Sequence, residues 1–202
     1  MKPLALDLCC GKGGWAKGLI AADWDVVGVD IDERFRADFP GWFICANVVS
    51  LAAEWHVSIY EVAKVFGIDI EARVFRLVVA SPSCEQYTRH MMPWTRRKNP
   101  PEPDLAVWLA CEQIAASLGV PLVIENVREA QRWHGTARWH FGSQYLWGDI
   151  PALMPKHPGW NVVRQKQSRT SGARAERAMV PFDLALHIGR VFHPGEEQRR
   201  AS

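Results

Sequence analysis

Residues 4–15, Leu4-Ala5-Leu6-Asp7-Leu8-Cys9-Cys10-Gly11-Lys12-Gly13-Gly14-Trp15, pass from an apolar run into a glycine turn. Leu4 to Cys9 reads as a short buried strand, and Gly11 to Gly14 as a tight turn at its carboxyl end. Trp15 to Ala22 follows with helical character, placing Trp15, Leu19 and Ala22 on one side. A second apolar run, Trp24 to Val29, then ends in Asp30-Ile31-Asp32. Strand, turn, helix and strand in that order begin a parallel α/β sheet.

The pattern continues along the chain. Trp42 to Ala46 is a third, weaker strand closing at Asn47, and residues 50–67 keep helical spacing through Leu51, Trp55, Ile59, Val62, Val65 and Phe66. Val74 to Ala80 is a fourth strand, halted by Ser81-Pro82-Ser83. Residues 85–103, rich in Pro, Arg and Met, read as a long loop. Asp104 is placed to cap a helix from Leu105 to Leu118 that Gly119 ends, and Pro121 to Ile124 is a fifth strand followed by Glu125-Asn126. Beyond residue 130 the periodicity fades, leaving one further strand over Phe141 to Trp147, a basic linker over 164–178 and a closing helix over Pro181 to Val191. Continuous apolar strands of this kind predict an open, mostly parallel sheet flanked by helices. Ligands of such sheets sit at the carboxyl ends of the strands. Asp7, Asp30, Asn47, Cys84 and Glu125 all fall at or near those ends.

Composition narrows the classes further. A chain of 202 residues holds one domain with its own core, and 48% apolar with 23% charged residues excludes collagen, coiled coil and wholesale disorder. No apolar run approaches a membrane span. The opening Met-Lys-Pro-Leu-Ala-Leu-Asp meets an acid before a signal-peptide core can form, so export is not expected. Cys9, Cys10, Cys45, Cys84 and Cys111 form no CxxC pair, which predicts reduced cytoplasmic thiols and no metal site. Residues 156–202 carry nine basic and four acidic side chains, as a solvated tail or a polyanion-binding segment does. Most of the ten tryptophans are expected as core or loop anchors, with one or two free to stack on a base.

Three places carry chemistry. In the glycine turn the backbone can approach a ligand closely, and Asp30 at the end of the next strand matches the acid that binds ribose hydroxyls in nucleotide-type sites. The turn is neither G-x-G-x-x-G nor a P-loop, so a cofactor with an adenosine and no pyrophosphate fits it, S-adenosylmethionine rather than a dinucleotide. A plain structural turn is the simpler alternative. Cys84 follows a buried strand into a loop, where a thiol is either a nucleophile reached by substrate or a small apolar filler. Glu125 follows an apolar strand, where a carboxylate is costly unless it is paired or used. It serves there as a hydrogen-bonding group for a ring nitrogen or as half of a structural ion pair.

Taken together these residues resemble the cytosine-5 methyltransferase family. Asp7 to Trp15 resembles its first motif, Ser81-Pro82-Ser83-Cys84-Glu85-Gln86-Tyr87-Thr88-Arg89 its Pro-Pro-Cys-Gln loop, and Glu125-Asn126-Val127 its Glu-Asn-Val motif. The likeness covers residues 4–130. Gln167-Ser168-Arg169 resembles the start of the Gln-x-Arg-x-Arg motif, with Ser171 where a second Arg is expected. Ser83 and Glu85 replace the family's Pro and Gln, and the Gly-Asn-Ser motif is not visible. About thirty residues between Trp147 and Met179 leave no room for a large target-recognition domain, as in compact phage-like members.

The resemblance implies a single Rossmann-like S-adenosylmethionine-dependent methyltransferase domain over residues 1–202, with its core in 1–130 and a variable basic part in 131–202. It implies Cys84 as the nucleophile toward C6 of cytosine, Glu125 on N3 and the exocyclic amine, and Arg169, Arg174 or Arg177 on O2. S-adenosylmethionine would meet Asp7, Cys9, Gly11, Lys12, Gly13, Gly14, Trp15, Asp30, Ile31, Asn47, Val48 and Pro82. Lys12 would face its carboxylate or solvent. Duplex DNA with a flipped cytosine is the implied partner, gripped by Arg89, Arg96, Arg97, Lys98, Arg174 and Arg177. A protein partner for target choice and a bacterial or phage-infected cytoplasm complete the expectation. Modification of RNA or a free nucleotide, and a non-catalytic DNA-binding or anti-restriction homologue, stand as alternatives.

Overall fold

The computed structural model describes residues 2–53, 75–88, 102–151 and 179–195. The strands are β1 (Leu4–Leu8), β2 (Asp25–Asp30), β3 (Trp42–Cys45), β4 (Phe75–Ala80), β5 (Leu122–Asn126), β6 (Trp139–Phe141) and β7 (Gln144–Gly148). They form one sheet in the order β3-β2-β1-β4-β5-β7-β6. The first five are parallel, whereas β7 runs against both β5 and β6. After β1 the chain moves outward to β2 and β3, then returns to place β4 on the other side of β1. That reversal opens a crevice above the carboxyl ends of the central strands. This is the mostly parallel, Rossmann-like sheet flanked by helices that the sequence predicts.

The described helices are α1 (Gly14–Ala21), α2 (Val48–Ala53), α3 (Glu85–Thr88), α4 (Ala106–Leu118), α5 (Gln131–His134) and α6 (Phe182–Phe192). Alternate strand residues feed two cores. Leu6, Val27, Val78 and Ile124 pack under Leu51 of α2 and Trp108 and Ile114 of α4. Ala5, Val26, Val79 and Val123 pack under Trp15 and Leu19 of α1 and Leu184 and Ile188 of α6. Both faces are dry, which is why the strands read as continuous apolar runs. Trp15, Trp24, Trp108 and Trp147 are buried as anchors, and Trp24 Nε1 donates to Gly189 O at 2.8 Å. Trp139 is 42% exposed.

Four local expectations are corrected. The segment from Trp139 to Gly148 is a hairpin, not one strand over Phe141 to Trp147, because Gly142 turns at φ +63° and pairs Phe141 with Gln144. The loop expected from residue 85 begins as a helical turn, α3, with Tyr87 buried in the core. β5 also runs on through Asn126, so Glu125 belongs to the strand itself, opposite Leu146 of β7. The N-cap of α4 is Leu105 and not Asp104, whose Oδ1 instead accepts the Ala106 N–H at 2.9 Å from one residue further out, and Gly119 ends that helix at φ +63°. The helix expected over 50–67 is seen as Val48–Ala53, and its remainder lies outside the described residues, as does the basic linker over 164–178.

Candidate active site

A cavity of about 710 Å³ opens at the carboxyl ends of the central strands. Its walls come from the turn after β1, from Asp30 to Phe35 after β2, from Ala46 to Val49 after β3, and from Ser81, Ser83 and Glu85 after β4. Met179 and Val180 close it from the C-terminal part. Gly11 and Gly13 take φ of +49° and +75°, so the turn needs residues without a Cβ. A Cβ built on Gly11 would meet nothing within 4 Å, so the turn presents bare backbone to the space.

Asp30 organises this rim. One carboxylate oxygen accepts the Gly11 N–H and the other the Asp32 N–H, each at 2.9 Å. Each oxygen keeps a second lone pair for a ligand hydroxyl. Asn47 accepts the Val49 N–H at 2.9 Å, capping α2 and leaving its amide donors for the cavity it lines. Ile31 lies beside Asp30 on the wall with 69% of its surface exposed, an apolar surface open to solvent. Lys12 lines the cavity, and its ammonium pairs with Asp38 at 3.0 Å. Cys9, Gly14, Trp15 and Val48 also line it. Gly13 and Pro82 sit behind the wall, with Gly13 packed against Phe39 and Pro40.

Asp7 is placed differently from the rest. It is fully buried, and neither carboxylate oxygen makes a hydrogen bond among the described residues. Desolvation pushes its carboxyl well above the ordinary range. The Ala16 N–H lies near enough to ease the charge without reaching hydrogen-bond geometry. A neutral acid under the first turn of α1 supports that turn from behind the wall.

Cys84 and Glu125 belong to neighbouring strand ends, joined by two direct hydrogen bonds. Ser81, at the end of β4, donates to Glu125 Oε2 at 3.1 Å. Asn126 donates from Nδ2 to Pro82 O at 2.8 Å and accepts the Val127 N–H at 2.9 Å. The loop that carries Cys84 is thus held against the strand that carries the acid. Cys84 is half-buried, and its carbonyl accepts the Tyr87 N–H and the Thr88 hydroxyl. Glu125 is 8% exposed, and burial pushes its carboxyl up to about 7 against the opposing Ser81 hydrogen bond. Below that pH it is a neutral acid able to donate to a ring nitrogen.

A second cluster anchors the cysteine loop. Tyr87 Oη meets His134 Nε2 at 2.8 Å, and His134 stacks on Trp108 at 3.6 Å and 9°. Burial lowers His134 to about 4, so a neutral ring fills this place. Ser81 and His134 bond to Glu125 and Tyr87, and the sequence reading named neither as a site residue. For Ser81 a signal existed, since a hydroxyl ends an otherwise apolar strand. Arg89, Arg96, Arg97, Lys98, Arg169, Arg174 and Arg177 lie outside the described residues. Among the described residues no cluster of His, Cys, Asp and Glu could hold a metal ion, and no helix is long and apolar enough to cross a membrane.

Among solved structures, the chain is similar to a prophage-encoded E. coli protein described as a DNA modification methyltransferase (TM-score 0.45, 19% identity, 66% of this chain and 34% of that one). It is similar to the Dnmt2 methyltransferase of S. pombe (TM-score 0.41, 20% identity, 65% and 38%). It is also similar to the Entamoeba histolytica methyltransferase EhMeth (TM-score 0.41, 17% identity, 65% and 40%). The chain therefore spans well under half the length of each. No protein-family model matches the chain, and no curated protein does.

Proposed function

We propose that this protein is a methyltransferase that acts at C5 of cytosine in DNA through a covalent adduct of Cys84. The observation that carries this reading is the pair of hydrogen bonds, Ser81 to Glu125 and Asn126 to Pro82, that tie the cysteine loop to the strand of a protonatable carboxyl just beyond the cavity wall that Ser81 lines.

The cavity fits S-adenosylmethionine on its own features. Its volume lies in the range of small-molecule sites. Asp30 offers carboxylate lone pairs to ribose hydroxyls, Ile31 an apolar surface to adenine, Asn47 an amide, and Gly11 an open backbone. When bound, the cofactor supplies an electrophilic methyl group. The chain's residues then make the ring receptive to it. Sγ of Cys84, as thiolate, adds to C6 and forms a C–S bond, which places electron density on C5. Glu125, protonated, donates to N3 and stabilises the charge that the addition brings to the ring. Once C5 has taken the methyl group and the donor has left as a neutral thioether, loss of the C5 proton to water would let the C–S bond to Cys84 break and return its thiolate. A cytosine must leave the duplex to reach this rim. The basic residues from Arg89 to Lys98 and from Arg169 to Arg177 are the proposed grip on phosphates and on O2.

The test is methyl transfer from S-adenosylmethionine to separate pools of duplex DNA, single-stranded DNA, RNA and dCTP, read as 5-methylcytosine by mass spectrometry. A product in duplex DNA that falls by about a thousandfold or more in Cys84→Ala is expected. That product should weaken steeply as salt rises. A product confined to RNA or dCTP would replace the substrate, and no product in any pool would overturn the reading.

A further inference from the structure

We propose that Trp15 and Ser81 are positioning residues that confine the proton of Glu125 to Oε1, the carboxyl oxygen left for substrate. The proposal rests on the reading of Glu125 as a donor to a ring nitrogen. Trp15 Nε1 lies 3.1 Å from Ser81 Oγ, and Ser81 Oγ lies 3.1 Å from Glu125 Oε2. An indole N–H can only donate. It therefore occupies one lone pair of Ser81, and the hydroxyl proton is directed to Oε2. With Oε2 accepting, a proton on the carboxyl is directed to Oε1. Among the described residues Oε1 takes no hydrogen bond.

The relay joins three elements far apart in the chain, α1, the end of β4 and β5. It also links two compartments. Trp15 and Ser81 both line the cavity, whereas Glu125 stands beyond them on β5. The wall of the cofactor cavity thereby orients the acid that meets the base. The side chains facing Glu125 from α1 and β7 are Trp15 and Leu146, which do not titrate in the relevant range. Titratable groups on the remaining elements include Asp7, on the same sheet face on β1, and Cys84, in the loop after β4.

The experiment titrates the side-chain carboxyl of Glu125 by carbon-13 NMR in intact protein labelled at glutamate, the signal being assigned by its loss in Glu125→Gln. A hydrogen bond donated to a carboxylate favours its charged form, so removing the donor must raise the midpoint. Ser81→Ala is expected to move it up by about one pH unit. Trp15→Phe, which keeps the ring and deletes the donor, should move it the same way by less, because the hydroxyl is then free to turn. Ser81→Thr should leave it at the native value. A Ser81→Ala midpoint that stays or falls overturns the relay, and so does a Ser81→Thr midpoint that rises as far. In methyl-transfer kinetics Ser81→Ala should lower kcat roughly tenfold with KM for S-adenosylmethionine changed less than about twofold. The titration needs no turnover. A native protein that methylates nothing therefore sinks the proposed reaction, while the relay is still decided by the carboxyl midpoints.

Discussion

Asn126 shows how much one buried amide can do. It is 1% exposed, it holds the Pro82 carbonyl with its NH₂ group, and its own carbonyl holds the Val127 N–H. The two ends of an amide are chemically distinct, so only Asn satisfies both contacts at once. Asn126→Ala removes the partner of a buried carbonyl and is expected to lower stability by about 1–3 kcal/mol in urea unfolding. Asn126→Asp keeps the size but sets a second acceptor against the Pro82 carbonyl, and should cost at least as much. Both should reduce methyl transfer by roughly tenfold or more while cofactor affinity stays near native, since the cysteine loop drifts from the acid. Retention of full activity by Asn126→Asp would show that this contact does not place the loop.

Between elements, α1 and α6 pack closely at Gly18. A Cβ on Gly18 would lie 2.5 Å from Leu186 N and 2.6 Å from Ala185 C, both backbone atoms that cannot step aside. In an exposed helix, Gly→Ala stabilises by about 0.5–1 kcal/mol. Here Gly18→Ala should instead destabilise by about 1–3 kcal/mol through overpacking, so the sign of the change in thermal unfolding tests the packing. The same comparison explains what the sequence could disclose. β1, β2 and β4 are legible because a strand buried on both faces is an unbroken apolar run, and the glycine turn is legible because its φ values exclude most side chains. Asp30 is legible as a strand-end acid. The hairpin carried a signal that the strand reading passed over, Gly142-Ser143 between Phe141 and Gln144. The Trp15–Ser81–Glu125 chain left none, because its members stand 66 and 44 residues apart and meet only when β1, β4 and β5 lie side by side.

Across the whole molecule, Glu125 and His134 set opposing dependences of stability on pH. Glu125 has its carboxyl raised from 4.5 to about 7 by burial. Between those values the unfolded chain releases a proton that the folded chain keeps, so stability falls as pH rises through the window, by up to about 3 kcal/mol. His134 has its imidazole lowered from 6.5 to about 4. There the unfolded chain takes up a proton that the folded chain refuses, so stability falls as pH drops from 6.5 toward 4. Because His134 is only partly buried, its share is the smaller and is screened by solvent. Urea unfolding at intervals from pH 4 to 8 separates the two. The stability of Glu125→Gln relative to native should climb as pH rises from 4.5 to 7, and that of His134→Gln should climb as pH falls from 6.5 to 4. Contributions from other side chains cancel in each difference, so a difference flat with pH would remove that group from the account. The two groups also flank Cys84, His134 through Tyr87 on α3 and Glu125 through the β4 end. The proposed reaction should therefore lose rate toward pH 4 as His134 charges and the aromatic anchor of α3 loosens, and above about pH 7 as Glu125 loses the proton it donates.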